Sequence, residues 1–138
     1  MSNLTPYLHL RGTARAALEF YASVFGGEPE ILTFAAGGMP DETPDAVMHG
    51  FVRGANGFEL MGSDVPDRPG FESLTDAGNI TLSLSGTDEA ELTGWYEALS
   101  DGGEVLSPLA KAPWGDSFAE FVDRFGIRWL INIAAPAA

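Results

Sequence analysis

Residues 6–28, PYLHLRGTARAALEFYASVFGGE, decide the fold, because a second copy of their pattern follows about half a chain later. An alternating run at residues 7–10 leads into apolar residues spaced along one side of a helix: Ala17, Phe20, Tyr21, Val24 and Phe25. This spacing predicts a helix that packs on a sheet. Thr13 is the expected N-cap. Gly26 and Gly27 predict the helix end, because glycine accepts the positive φ that is common there.

The second copy begins with an alternating run at residues 79–84, NITLSL, which predicts a strand with apolar residues on one face and polar residues on the other. The helical stripe of this copy consists of Leu92, Trp95, Tyr96 and Leu99. Asp88 followed by Glu91 predicts the start of the helix, since the two residues have the spacing of a capping box. Gly102 and Gly103 predict its end, as in the first copy.

Further strands are predicted where alternating or apolar runs are separated by turn residues. The expected strands are residues 4–10, 31–35, 47–53 and 58–61 in the first half and 79–84, 104–109, 117–122 and 127–133 in the second. Residues 54–57 and 123–126 predict hairpin turns, and residues 37–45, GGMPDETPD, predict a loop. The order β-α-β-β-β therefore occurs twice.

The predicted class is α+β, with two βαβββ modules that form curved mixed sheets in a single domain of residues 1–138. We expect module one to cover about residues 1–62, a polar linker residues 63–77, and module two residues 78–134. Neither module can bury both faces of its sheet alone. The two sheets are therefore expected to curve around a shared space, within one chain or between two chains.

Composition excludes several classes of partner and site. Seven Lys and Arg residues against twenty Asp and Glu residues give a net charge of −13, which repels nucleic acids and anionic membrane surfaces. The chain has no cysteine, so disulfides, thiolate nucleophiles and Cys-based metal sites are excluded. No apolar run has the length of a membrane helix, and no basic leader precedes the first strand. These features predict a cytoplasmic protein.

Six short motifs in this order carry a family resemblance: PYL at residues 6–8, AALEFYASVFGG at 16–27, NGFELMG at 56–62, NITLSLSG at 79–86, WGD at 114–116 and DRFGIRW at 123–129. With them the sequence resembles the vicinal oxygen chelate superfamily, which contains glyoxalase I, fosfomycin and bleomycin resistance proteins and extradiol dioxygenases. The PhnB-like branch is the most similar. The resemblance implies a cup-shaped sheet in each module, a ligand or metal pocket, and a homodimer.

The resemblance also implies four metal-ligand positions, on the first and last strand of each module. They fall at Thr5 or Pro6, at Glu59, at Asn79 and at Leu130. A divalent ion needs several converging N or O donors, and only Glu59 offers a strong one. We therefore expect no metal site of the usual type and no cofactor.

Two other uses of these residues remain open at the level of sequence. His9, His49 and Glu59 have the composition of a non-haem iron triad, if His49 faces the same side as the other two; otherwise His49 is a hydrogen-bonded sheet residue and His9 lines a pocket. Glu59 is also a candidate general base, because its apolar neighbours would make the carboxylate more basic. The alternative is a structural carboxylate that accepts hydrogen bonds from Asn79 or Thr81.

The predicted function is the binding of a small organic ligand between the modules, without the usual metal site. The expected ligand-binding residues are Tyr7, His9, Glu59, Met61, Asn79, Thr81, Trp114 and Asn132. Trp114 either stacks on the ligand or packs on the sheet edge or a second subunit. One alternative is a metal-dependent lyase or dioxygenase-type enzyme that uses His9, His49 and Glu59. The other is a non-catalytic dimeric interaction module.

Overall fold

The computed structural model of the chain describes residues 2–39, 43–66, 69–70 and 79–136. The elements of this part follow in the order β1 (Tyr7–Leu10), α1 (Ala14–Phe25), β2 (Pro29–Thr33), β3 (Val47–Arg53), β4 (Glu59–Asp64), β5 (Leu82–Gly86), α2 (Glu89–Ser100), β6 (Glu104–Lys111), β7 (Ser117–Val122) and β8 (Arg128–Ile133). The chain divides into two compact units, Met1–Asp76 and Ala77–Ala138. The predicted repeat of β-α-β-β-β is confirmed.

Each unit contains one four-stranded mixed sheet, and the two sheets have the same strand order. The order is β1-β4-β3-β2 in the first unit and β5-β8-β7-β6 in the second. In both, the first and last strands pair in parallel and the remaining neighbours pair antiparallel. The predicted α+β class is therefore confirmed. Neither helix, at twelve residues, reaches the length and apolarity that crossing a bilayer requires within the described chain.

The helix of the first unit packs on one face of its sheet, where alternate strand residues are buried. Leu18 and Ala22 of α1 contact Val52 of β3 in this core. Gly50 and Gly62 pair across β3 and β4. A Cβ atom on Gly50 would lie 2.2 Å from Leu18 Cδ1, so the missing side chain lets the helix approach closely. The opposite face of this sheet, which we call the open face of the first sheet, carries Tyr7 and His9 instead.

The second unit buries the corresponding face in the same way. Its core consists of Leu84, Leu92, Leu99, Ala119, Phe121, Trp129, Ile131 and Ile133. The predicted stripe of α2 is only partly confirmed, because Trp95 and Tyr96 are half-buried while Leu92 and Leu99 are buried. The face of this sheet opposite α2 is the open face of the second sheet.

In both helices a carboxylate accepts a hydrogen bond from a backbone N–H of the first turn, but only in α2 does it belong to the N-cap residue. Asp88 caps α2 as predicted, because its Oδ1 accepts from the N–H of Glu91 at 3.0 Å. Thr13 precedes α1 but makes no capping bond with its side chain. The carboxylate of Asp64 takes that role: Oδ1 accepts from the N–H of Ala14 at 3.0 Å and Oδ2 from the N–H of Val47 at 2.9 Å.

Several predicted strand boundaries were wrong. β1 begins at Tyr7 rather than at residue 4, and β2 ends at Thr33 because the chain turns from Phe34 onward. β4 continues to Asp64, two residues into the predicted linker, because β1 pairs with it along its whole length. β5 begins at Leu82, and Ile80 is 78% exposed rather than buried in the sheet. Residues 40–42 of the predicted loop, residues 67–68 and 71–77 of the predicted linker, and residue 78 lie outside the described residues.

A glycine after a helix is expected to be hard to replace where another strand passes close to it, as β7 does at Gly103. A Cβ on Gly103 would lie 2.1 Å from the carbonyl oxygen of Val122, whereas a Cβ on Gly94 of α2 meets nothing within 4 Å. Gly103→Ala should lower the free energy of unfolding by about 1–3 kcal/mol. Gly94→Ala should raise it by about 0.5–1 kcal/mol, since alanine favours a helix. Urea unfolding measures both, and equal stabilities would contradict this account.

The Asp64 carboxylate is expected to stabilise the first unit through both of its hydrogen bonds. Asp64→Asn keeps one acceptor oxygen but turns an amide donor toward a backbone N–H, so we expect a loss of about 1–3 kcal/mol. Asp45→Asn removes a similar charge from an exposed carboxylate and serves as the control. Chemical unfolding of the two variants measures the difference. A loss of the same size in both variants would show that charge alone is responsible.

Candidate functional site

The open face of the first sheet brings both histidines of the chain into one row. His9 of β1 pairs with Ser63 of β4. The pair Gly50–Gly62 places His49 of β3 next to Ser63 on the other side. Successive residues of a strand alternate between faces, so these three side chains point to the same face. The neighbouring row contains Tyr7, Met61 and Phe51.

Tyr7 contacts both imidazoles. Its hydroxyl lies 3.2 Å from Nδ1 of His49, and the two rings are 5.6 Å apart between centroids. The ring of His9 is 5.2 Å from the ring of Tyr7 on a 40° tilt. Within the described residues, the imidazole of His9 makes this ring contact and no hydrogen bond. Tyr7 therefore contacts two different imidazoles. That of His49 is hydrogen-bonded to it, and that of His9 makes no hydrogen bond within the described residues.

A groove of about 410 Å³ lies on the same face. Its lining consists of Glu30, Ile31, Leu32, His49, Phe51 and Met61. Most of these side chains are apolar, and the Tyr7–His49 hydrogen bond lies at one side of them. Analysis of the sequence predicted Met61 as a site residue but missed Phe51 and Leu32. The alternation of polar and apolar residues in β2 and β3 is too weak to assign them to a face.

Glu59 does not join the two imidazoles. It lies four residues before Ser63 on β4, which corresponds to about 13 Å along a strand. Its Oε1 accepts a hydrogen bond at 2.9 Å from Nη2 of Arg53, which directly faces it on β3. Across the described ranges, no three His, Asp or Glu side chains are grouped to hold a metal ion. The hypothesis that His9, His49 and Glu59 converge is therefore wrong in this unit, because the strand register separates them.

The second sheet presents different residues at equivalent positions. Equivalent positions in the two sheets can be identified from a hydrogen bond that occurs in both. It runs from Val65 N–H to Leu10 O in the first sheet and from Ala134 N–H to Gly86 O in the second. Counting back from these bonds places Ser85, Asn132 and Phe118 at the positions of His9, Ser63 and His49. By the same count, Leu130 matches Met61 and Arg128 matches Glu59. The resemblance placed the last acid position at Leu130, but the register makes Arg128 the counterpart of Glu59.

The remaining predicted site residues lie in the second unit. Asn79 is exposed and Thr81 half-buried, and both precede β5. Trp114 is 64% exposed in the turn before β7, where its ring makes an edge-to-face contact with Phe118 at 5.8 Å. Asn132 is half-buried, and its Nδ2 donates to Oδ2 of Asp116 at 3.1 Å. The structure thus groups Trp114 and Asn132 around Phe118, on the open face of the second sheet.

Asp116 is a residue that analysis of the sequence did not assign to the site. Its Oδ1 accepts from the N–H of Ala135 at 2.8 Å, and its Oδ2 accepts from Asn132. The bond from Ala135, followed by the bond from Asn132, lowers the pKa of this carboxyl below its ordinary value. The WGD segment was noted in the sequence, but nothing there indicated that Asp116 would bond to residues 16 and 19 positions later.

These elements agree with what comparison with known proteins finds. The model of the Glyoxalase/Bleomycin resistance protein/Dioxygenase superfamily matches residues 7–131. The chain belongs to this superfamily.

Individual relatives support the same assignment. The chain is 31% identical over 136 residues to the Mycobacterium tuberculosis H37Rv protein Rv0887c, covering 94% of this chain and 72% of that protein. The structure of PA1353 from Pseudomonas aeruginosa is similar with a TM-score of 0.84 and 31% identity, over 99% of this chain and 100% of the other. A PhnB protein from Bacillus cereus has a TM-score of 0.76 and 26% identity, over 96% and 100%. The resemblance to the PhnB-like branch is confirmed.

The Asn132 side chain is expected to control the titration of Asp116. Asn132→Ala removes one of the two donors, so the pKa of the Asp116 carboxyl should rise toward its ordinary value. The contribution of this carboxylate to stability is present above the pKa of the unfolded chain and is lost as the pH falls through the lower folded-state pKa. A ¹³C NMR titration of the side-chain carboxyl measures the change. Asn3→Ala, at an exposed position, is the control, and an unchanged pKa in Asn132→Ala would contradict the assignment.

Proposed function

We propose that this protein binds a small organic molecule in the groove on the open face of the first sheet, without the metal site usual in its superfamily. The observation that carries the proposal is the Tyr7–His49 hydrogen bond at the side of an apolar groove. An apolar surface with a few placed polar groups is the usual composition of a small-molecule site.

The size and lining of the groove support an apolar or aromatic ligand body. About 410 Å³ lies within the range of small-molecule pockets, which is roughly 300–1,000 Å³. Phe51 offers a ring face, and Leu32 and Met61 offer flexible apolar contacts. A planar ligand can therefore pack against the groove, where burial of its apolar surface drives binding.

The polar groups support a ligand that carries a hydroxyl, carbonyl or amide. If the Tyr7 hydroxyl donates to Nδ1 of His49, the His49 Nε2–H is left to donate to a ligand; in the other tautomer, Nε2 accepts. His9 and Ser63 add further donors and acceptors in the same row. Each hydrogen bond to a neutral ligand group contributes about 0.5–1.5 kcal/mol, so these groups act mainly on specificity.

The surroundings of Glu59 support binding that does not depend on a metal ion. The carboxylate is engaged by Arg53, and the counterpart of Glu59 in the second sheet is Arg128, which is a cation. An arginine cannot serve as a metal ligand, because its guanidinium has no acceptor atom.

Substitution in the groove is expected to weaken ligand binding without unfolding the protein. A ligand is first identified by thermal-shift screening of aromatic metabolites and of drugs such as fosfomycin and bleomycin. Met61→Lys places a charge among apolar side chains, so this ligand should bind to the variant at least about tenfold more weakly. Met39→Lys makes the same change in an exposed loop position outside the groove lining and should leave affinity unchanged. Isothermal titration calorimetry measures both. Equal affinities would place the ligand elsewhere, and no thermal shift with any compound would favour a non-catalytic interaction module.

Metal analysis tests the second part of the proposal. Protein purified without a histidine tag and dialysed against trace metals is expected to contain no stoichiometric Zn, Ni, Mn or Fe, and its ligand affinity should not change when EDTA is added. A stoichiometric metal that His49→Ala removes would overturn this part and support a metal-dependent enzyme, because a lost imidazole typically costs a metal site much of its affinity.

A further inference from the structure

Four side chains meet at one end of the open face of the second sheet, and we call this group the aromatic corner: Trp114, Asp116, Phe118 and Asn132. Phe118 and Asn132 are paired across β7 and β8, so their side chains lie on the same face. The indole of Trp114 contacts the ring of Phe118, and the amide of Asn132 bonds to Asp116. An exposed indole and a hydrogen-bonded carboxylate thus each contact one member of the same cross-strand pair.

Two backbone hydrogen bonds close the turn that carries Trp114. The N–H of Ala112 donates to the carbonyl of Asp116 at 2.7 Å, and the N–H of Gly115 donates to the carbonyl of Ala112 at 2.9 Å. Gly115 has φ +103°, a conformation that side chains rarely adopt. These features fix the backbone of the turn, and the indole contacts Phe118 although Trp114 remains 64% exposed. Trp114 therefore presents ring surface to solvent two residues before the Asp116 carboxylate.

We propose that the aromatic corner binds an organic cation of the quaternary or methylated ammonium class, which packs on the indole of Trp114 and is attracted by the carboxylate of Asp116. Tryptophan is the most favourable of the aromatic side chains for a cation. This site lies in the second unit and is argued independently of the groove in the first.

The charges around the corner favour a cation. Two hydrogen bonds keep Asp116 ionised at neutral pH, and the net charge of −13 raises the local concentration of cations. Arg128 is engaged by Glu120 at 3.3 Å. Lys111 follows Ala110, which pairs with Phe118, so the lysine side chain alternates to the opposite face of the sheet.

The arrangement selects a weakly hydrated organic cation over a small metal ion. Calcium requires six to eight oxygen ligands and magnesium a full octahedron. The corner offers one carboxylate, whose two oxygens each already accept a hydrogen bond. An ammonium group with methyl substituents needs no such shell and gains contact with an aromatic face.

A titration with choline and with its uncharged isostere, 3,3-dimethyl-1-butanol, tests the proposal. The full chain has three tryptophans, so ¹⁵N-labelled protein gives three indole N–H signals. Choline should shift the Trp114 signal saturably in the millimolar range, and the alcohol should bind at least about threefold more weakly. The Trp129 indole donates to Oδ2 of Asp123 at 2.9 Å in the core and is the internal control.

Variants separate the indole from the carboxylate. Trp114→Leu keeps apolar bulk and should abolish the choline-dependent shifts of the backbone amides of Gly115 and Phe118, which are followed in place of the lost indole signal. Asp116→Asn should weaken it about two- to fivefold. Asp101→Asn removes one charge from an exposed acid outside the corner and should leave the affinity unchanged. An unshifted Trp129 signal in each variant shows that the second unit is folded.

Three results would overturn the proposal. One is the absence of any Trp114 shift with choline, and another is equal binding of choline and the alcohol, which would identify a merely apolar surface. The third is an equal loss of affinity in Asp116→Asn and Asp101→Asn, which would show that only the overall charge matters. Added salt should reduce choline affinity in the wild-type protein more than in Asp116→Asn, because the local charge pair is screened.

Discussion

The parallel pairing of the first and last strand within each unit is the constraint on which the rest of the structure depends. A parallel pair cannot be joined by a tight turn, so a longer connection must intervene. In each unit this connection consists of a helix and two further strands. In the first unit this pairing places β4 between β1 and β3, and it sets His9 and His49 on either side of Ser63. The site thus follows from the order of strands rather than from residues that are close in sequence.

The N-termini of the two helices are capped by carboxylates that lie at different distances along the chain. In α2 the cap is local, because Asp88 bonds to Glu91 three residues later. In α1 the cap is supplied by Asp64, which lies 50 residues away and also bonds to the first residue of β3. The position equivalent to Asp64 in the second unit is Ile133, a buried apolar residue. One carboxylate therefore connects the helix, β3 and β4 only in the unit that carries the histidines.

Strands and helices could be predicted from the sequence, whereas contacts between residues far apart in the chain could not. The bounds of β3 and β7 were predicted correctly, because clear turn residues follow both strands. Asp64 was assigned to a linker, since its role depends on backbone N–H donors that only the fold brings near. In the site, Tyr7, His9 and Met61 were predicted from the alternation of β1 and β4. Phe51 and Asp116 were not, because nothing in their neighbourhood distinguishes a site residue from a sheet residue.

Position in the ladder, rather than residue type, decides what each face can bind. Glu59 and the two histidines have the right composition for a metal site, yet the register leaves the acid opposite Arg53. The same ladder explains why the two open faces differ in chemistry. Equivalent positions carry His9 and His49 in the first sheet and Ser85 and Phe118 in the second, so duplication preserved the backbone while the side chains changed. A neutral, hydrogen-bonding ligand suits the first set, because imidazoles donate and accept hydrogen bonds. The aromatic corner suits a cation, because the face of an indole and an ionised carboxylate both carry negative potential.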